Sequence, residues 1–272
     1  PAVSRSVREL EQVLGHDLFD RSTRGAELTP RGRTFLEATE SGLLRIFQGV
    51  RSVTGEVLSD EIVRIGALPN VCSQFLPAIV QVFKSEYPSV RVRVSPGTNA
   101  GLLDSLRRGE TDFVIGRLSS SEDMRGLVFR ALFDEPLVFV VRGGHPLSGG
   151  QATLEEALTF PTLLPPEGTI IRQELSRYLS GQGVSELPDV VETTSSDFQR
   201  SYVARTDCVA VMPRGVVQAE LESGAFVHLD IAKDAMRGPV GLTTNPELRL
   251  GSGAGKLVET ILNTPLMPKM VS

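Results

Sequence analysis

Ser4, Arg5 and Arg8 share one arc of a helical wheel with Pro1 and Gln12, turned roughly 120° from the apolar stripe Val3, Val7, Leu10 and Leu14. A guanidinium bonds a guanine edge through two hydrogen bonds or clamps a phosphate, and a hydroxyl serves either partner. Farther on, polar residues recur in "LPNVCS", "PGTNAG", "PEGTI" and "SSDF". Each stretch follows an extended apolar run and precedes a helical pattern. Its Ser, Thr, Asn or Gly therefore falls where backbone N–H groups converge, which suits a carboxylate or another anion. Arg117, in "IGRL", ends a further apolar run and adds a positive charge. Asn70, Thr98 and Ser196 are each also accounted for as helix caps.

Other chemistries fail on spacing. "GSGAGKL" resembles a phosphate-binding loop, but Leu250 and Leu257 stand where that loop needs glycine and Ser/Thr. It reads as a loop before the last helix. His16, His145 and His228 are scattered and lack the partners of a metal site. There is no nucleophile elbow and no acid paired with a base, so neither catalysis nor a cofactor is expected. Cys72 and Cys208 are far apart in sequence, which favours a reducing cytoplasm over a disulfide scaffold. Cys72 lies near a helix start, where a thiol pKa can fall.

These residues need elements to hold them, and the 272-residue chain divides into three regions. Residues 1–29 read as an amphipathic helix ending near Gly15, then a small hairpin in "LFDRSTRGAEL" with arginines at its base and tip. Residues 30–59 begin with Thr29 as cap and Pro30 in the first helical turn. Leu43, Ile46, Val50, Val53 and Val57 alternate spacings of three and four, the seam of a long linker helix that pairs with another helix. Residues 60–272 alternate strands and helices, an α/β pattern with mostly parallel sheets in two similar halves. The net charge of -5 lies wholly after Ser59, because eight arginines and eight acidic residues cancel before it. A neutral head without lysine joined to an acidic body suggests two parts with different partners. No apolar run reaches the roughly 18 residues of a membrane span, and no signal peptide is visible.

"PAVSRSVRELEQVLG", "LFDR" and "LTPRGRTFL" resemble the winged helix-turn-helix of the LysR-type transcriptional regulators. "VRIGALPNVCSQFLPAIVQVFKSEYPSVRVRV", "LLDSLRRGETDFVIGRL" and "GGHPL" resemble the regulatory domain of that bacterial family, which has the two-lobed fold of type 2 periplasmic binding proteins. "GALPNV", "FVIGRL" and "RGPVGLTT" are most similar to the subgroup of protocatechuate-pathway and galactose-uptake regulators. The resemblance implies an α/β chain built as a partial winged helix-turn-helix, a linker helix and a two-lobed effector domain. It also implies two helices ahead of the recognition helix, so that Pro1 sits where that helix starts.

By the same resemblance, Pro1, Ser4, Arg5 and Arg8 contact bases or backbone of double-stranded DNA, and Arg24 enters a neighbouring minor groove from the wing. Pro69, Asn70, Thr98, Asn99, Gly168, Thr169 and Ser196 line an effector cleft, with Arg117 near its hinge. A small carboxylate suits this equipment better than a sugar, since the chain has no tryptophan to stack on a ring. The implied protein is a cytoplasmic homodimer or homotetramer that works with RNA polymerase. An alternative is a solute-binding protein that delivers a ligand to a transporter, and the arginine-bearing head argues against it.

Overall fold

The computed structural model describes residues 2–20, 27–36, 38–39, 46, 61–73, 75–149, 151–232 and 235–264. The head opens with α1, Ala2–Leu14, which ends where Gly15 turns to a φ of +68°. Glu11 is buried on it, and its carboxylate accepts the Leu18 and Phe19 N–H groups at 2.9 and 3.1 Å. That contact folds the following segment back on the helix. Strands β1 (Phe19–Asp20) and β2 (Glu27–Leu28) then pair antiparallel, as the hairpin pattern requires. Thr29 accepts the Gly32 N–H at 2.9 Å and starts α2, helical over 30–36 with Pro30 in its first turn. Residues 38, 39 and 46 are also helical. Arg24, Pro1 and the seam residues Leu43, Val50, Val53 and Val57 lie outside the described residues.

The body is organised around one 15-residue strand. Lobe I holds β3 (Ile62–Ala67), α3 (Pro69–Ser73), α4 (Phe75–Glu86), β4 (Arg91–Pro96), α5 (Asn99–Arg108) and β5 (Phe113–Arg117). The long β6, Val128–Arg142, leaves it for lobe II. There follow α6 (Leu154–Ala157), β7 (Thr162–Leu164), α7 (Ile170–Gly181), β8 (Val190–Glu192), α8 (Ser196–Val203), β9 (Val209–Pro213), α9 (Arg214–Ser223) and β10 (Phe226–Leu229). Strand β11, Arg237–Thr244, returns to lobe I, where α10 (Ser252–Asn263) closes the fold. The sheet runs β4-β3-β5-β11-β6-β9-β7-β8, with β10 on β6. Along β6 the partner changes at Pro136: up to it the strand pairs with β11, and from Leu137 on with β9.

Alternation on β6 sends Leu137, Phe139 and Val141 to the α7 face, with Leu175 and Leu179. Val138 and Val140 go to the other face with Val203, Met212 and Val217. In lobe I, Val63, Ile65, Phe75, Ile79, Phe83, Leu257 and Ile261 form one core, while Leu102, Leu106 and Val114 form a smaller one across the sheet. Each side chain buried this way contributes about 1.5–3 kcal/mol.

Two expectations are corrected. The sheet is mixed. Strands β4, β3 and β5 are parallel, as are β8, β7 and β9, but β6, β10 and β11 run antiparallel to their neighbours. The antiparallel pairs come from the two crossing strands, β6 and β11, which run in opposite directions beside each other and separate the two parallel sets. Second, "GSGAGKL" opens α10 itself. Glu61, buried just ahead of β3, accepts the Gly253 N–H at 2.9 Å, and any side chain at Gly251 would meet its carboxylate at 2.7 Å. Glycine is therefore set by the carboxylate that caps the helix.

Candidate functional site

Five helices of the body start just past the carboxyl end of a strand: α3 after β3, α5 after β4, α7 after β7, α8 after β8 and α9 after β9. Because β3, β4 and β5 are parallel, as are β7, β8 and β9, the starts gather on one edge of each lobe. Those edges meet at the crossing strands, where α3 of lobe I packs on α9 of lobe II. Thr98 caps α5 by accepting the Gly101 N–H, Thr169 caps α7 through the Arg172 N–H at 3.2 Å, and Ser195 caps α8 through the Phe198 N–H at 3.3 Å. Gly168 turns the chain into α7 at a φ of +83°. Asn99 donates to the Ser119 hydroxyl at 2.7 Å, and Ser119 donates to Asp123 at 2.8 Å. The Ser120 and Ser119 hydroxyls hold the Asp123 carboxyl below its ordinary range.

A buried charged network joins the lobes. Arg117 ends β5 with its side chain 1 % exposed. One Nη atom donates to Glu174 of α7, and the other donates to the Glu135 carbonyl at 2.6 Å. The Glu135 carboxylate accepts from Asn70 of α3 at 2.5 Å and from the Gly215 N–H of α9. Burial raises the Glu135 carboxyl pKa above its ordinary value, and the Arg117 charge and these hydrogen bonds offset only part of that. Pro69 begins α3 beside Asn70, half-buried.

On the head, Ser4, Arg5 and Arg8 are exposed on α1, and Arg5 pairs with Glu9 at 3.0 Å, a surface contact that yields readily. The stripe residues Val3, Leu10 and Leu14 are exposed as well. Arg8 borders an open hollow of about 1040 Å³ shared with His16, Asp17, Thr29 and Arg31. The arginine arc thus faces outward, away from the body's interior.

The sequence profile of the "LysR substrate binding domain" matches residues 58–265, and that of the "Bacterial regulatory helix-turn-helix protein, lysR family" matches residues 1–33. The chain belongs to the LysR family of transcriptional regulators. It is 36% identical to the HTH-type transcriptional regulator PcaQ of Agrobacterium fabrum, over 92% of this chain and 82% of that protein. It is 34% identical to the HTH-type transcriptional regulator YdcI of Escherichia coli, over 96% and 85%. Among solved structures, a full-length OxyR variant from Pseudomonas aeruginosa is similar at a TM-score of 0.68 and 22% identity, covering 96% of this chain and 86% of that one. Full-length CbnR in complex with its target DNA reaches 0.69 at 18% identity, covering 96% and 89%. As a LysR regulator the chain carries a DNA-binding head and a domain that answers to a small molecule.

Within this LysR body the expected site residues fall in different places. Thr98, Thr169 and Gly168 stand at helix starts, while Asn99 turns to Ser119. Asn70 and Arg117 belong to the buried network, so the Arg117 charge is met by the protein's own carboxylates. Ser196 is the first residue of α8, and the cap one place earlier is Ser195. A run of two serines leaves that register open to the sequence. Glu135, Glu174 and Gly215 escaped sequence reading. The hydrogen bonds that tie Glu135 and Glu174 to Arg117 and Asn70 span 18 to 65 residues, and no local pattern marks them. Burial pushes the thiols of both Cys72 and Cys208 up, and the helix start near Cys72 does not lower its thiol. His145 is buried in its turn, its Nδ1 accepting the Leu147 N–H at 3.0 Å.

Proposed function

We propose that this regulator reads its operator with the Ser4, Arg5 and Arg8 arc of α1, extended by Pro1 and by Arg24 of the wing. We further propose that the small molecule it answers to is an organic acid held between the lobes. One observation carries the second reading. Hydroxyl-capped starts of α5, α7 and α8 gather at strand ends, and such starts favour anions through their N–H groups and helix dipole. Thr98, Asn99, Gly168, Thr169 and the Ser195–Ser196 pair are the proposed contacts, with Pro69, Asn70 and Arg117 at the floor. The ligand favours one lobe orientation, and that orientation sets the geometry of the DNA-binding heads in a dimer or tetramer and their contact with RNA polymerase.

A thermal-shift screen of small carboxylates against sugars tests the ligand class. A specific ligand at one hundred times its dissociation constant adds about 2.7 kcal/mol of stability. Stabilisation by sugars alone overturns the acid. Fluorescence anisotropy on the regulator's own promoter tests the DNA reading. Arg5→Ala is expected to weaken specific binding by about 1–3 kcal/mol if Arg5 reads a base. Unchanged promoter affinity in Arg5→Ala and Arg8→Ala would discard the arc.

A further inference from the structure

The place between the lobes where the acid is proposed to sit already holds the protein's own charges. Arg117 belongs to lobe I and Glu174 to lobe II, and the two side chains meet across the lobe boundary. Glu174 is the wetter partner, 17 % exposed against 1 % for Arg117, so the carboxylate rather than the guanidinium is the group that can leave. The guanidinium is only partly satisfied. Its Nε is buried without a hydrogen-bond partner among the described residues and lies 3.9 Å from the Glu135 carboxylate. A planar fork of donors is best met by a carboxylate that engages two of them at once. Space at this point is reserved for the pair: a side chain at Gly238 would meet the Arg117 Nη1 at 2.7 Å and the Glu174 Oε1 at 2.8 Å.

We propose that Glu174 is a tethered competitor of the effector. Its carboxylate holds the place on Arg117 that an external carboxylate takes, and yielding that place releases lobe II from lobe I. This rests on the organic-acid reading above and adds its gate: the incoming acid must outcompete an internal one. An acid in that place bonds the Nη1 donor that Glu174 gives up, while the other Nη stays on the Glu135 carbonyl. The lobes are then freed in the same event that seats the ligand, so occupancy is converted directly into lobe orientation.

The test is chemical replacement in the whole chain. Glu174→Ala leaves Arg117 buried beside an empty place, and thermal unfolding is followed in rising acetate against chloride at equal ionic strength. Acetate, and not chloride, is expected to restore the melting temperature of Glu174→Ala, while wild type responds alike to both salts. The double variant Arg117→Gln, Glu174→Ala should respond alike to both salts too. An equal response of Glu174→Ala to acetate and chloride overturns the proposal, as does acetate rescue of the double variant. If Glu174→Ala does not fold, Glu174→Gln keeps the shape. By NMR titration with labelled acetate it is expected to bind at least tenfold more tightly than wild type, and equal affinity overturns the proposal. The two readings fail separately. Carboxylates that stabilise wild type without any rescue of Glu174→Ala remove the competitor and leave the organic-acid effector. Acetate rescue with no carboxylate acting on wild type removes that effector and leaves Glu174 as the group that an acid can replace.

Discussion

Glu135 is a carboxyl group held between two helix starts and one guanidinium, and burial still raises its pKa above the ordinary 4.5. A carboxyl that binds its proton more tightly in the folded chain than in the unfolded one contributes stability at low pH. That contribution is complete below the unfolded value and is lost as pH climbs through the higher folded value. Glu135→Gln removes the ionisation and keeps an oxygen for Asn70. Relative to wild type, the variant is expected to gain stability as pH rises above the ordinary carboxyl value, in urea unfolding at successive pH values. A difference between the two proteins that stays constant over the range would show that Glu135 does not titrate there. The Asn70 contact explains why the same position matters to lobe I: a donor that loses a buried acceptor costs about 1–3 kcal/mol. Asn70→Ala, which removes the donor and leaves Glu135 short of a partner, should therefore destabilise by an amount in that range.

At the scale of elements, helix starts are where this chain is most closely specified, and the two adjacent serines of α8 make that measurable. Ser195 accepts the Phe198 N–H, while Ser196 is already inside the helix. Ser195→Ala should cost about 1 kcal/mol, whereas Ser196→Ala should change stability by less than half of that, by denaturant titration. The reverse order would place the cap one residue later. Most elements were legible before the fold was known because their cues are local. The 3.6-residue stripe marks α1, Thr29-Pro30 marks the start of α2, and the apolar runs "VRIGA" and "CVAVMP" mark β3 and β9. The elements that escaped are the crossing ones. The first half of β6, "VFRALFDEP", is interrupted by Arg130, Asp134 and Glu135 and so lacks a continuous apolar run, although it forms a ladder with β11. Strand β11, "RGPVGLTT", carries two glycines and a proline, residues that weaken a strand pattern. Yet it tolerates them because Gly238 makes room for Arg117 and Glu174, and Gly241 passes close to the Arg130 backbone at a bulge. In α10 the glycines answer to Glu61, which lies 192 residues away from Gly253. Long-range contacts override local propensity at these places, and the sequence carries no local mark of them.

Across the whole molecule, the two lobes have separate cores but share β6 and β11 and the charged network between them. In a body built this way, a change of lobe orientation means switching packed contacts rather than bending them. A regulator requires that the ligand and the operator prefer orientations to different degrees, and that preference is a coupling free energy shared by both sites. Coupling of about 1–3 kcal/mol, typical of such systems, corresponds to a change in affinity of about 5- to 150-fold. The expected outcome is that an acid found in the thermal screen binds with a different affinity when the operator is present, by the factor through which it changes operator binding. Calorimetry with and without operator measures the first quantity and anisotropy with and without acid measures the second. A ratio of one in both would mean that the cleft and the head do not communicate, however tightly each binds. A ratio far from one in wild type that shrinks in Glu174→Gln would place the communication on the contact between α7 and Arg117, because that variant weakens the tie between lobes without altering the arginine arc of α1.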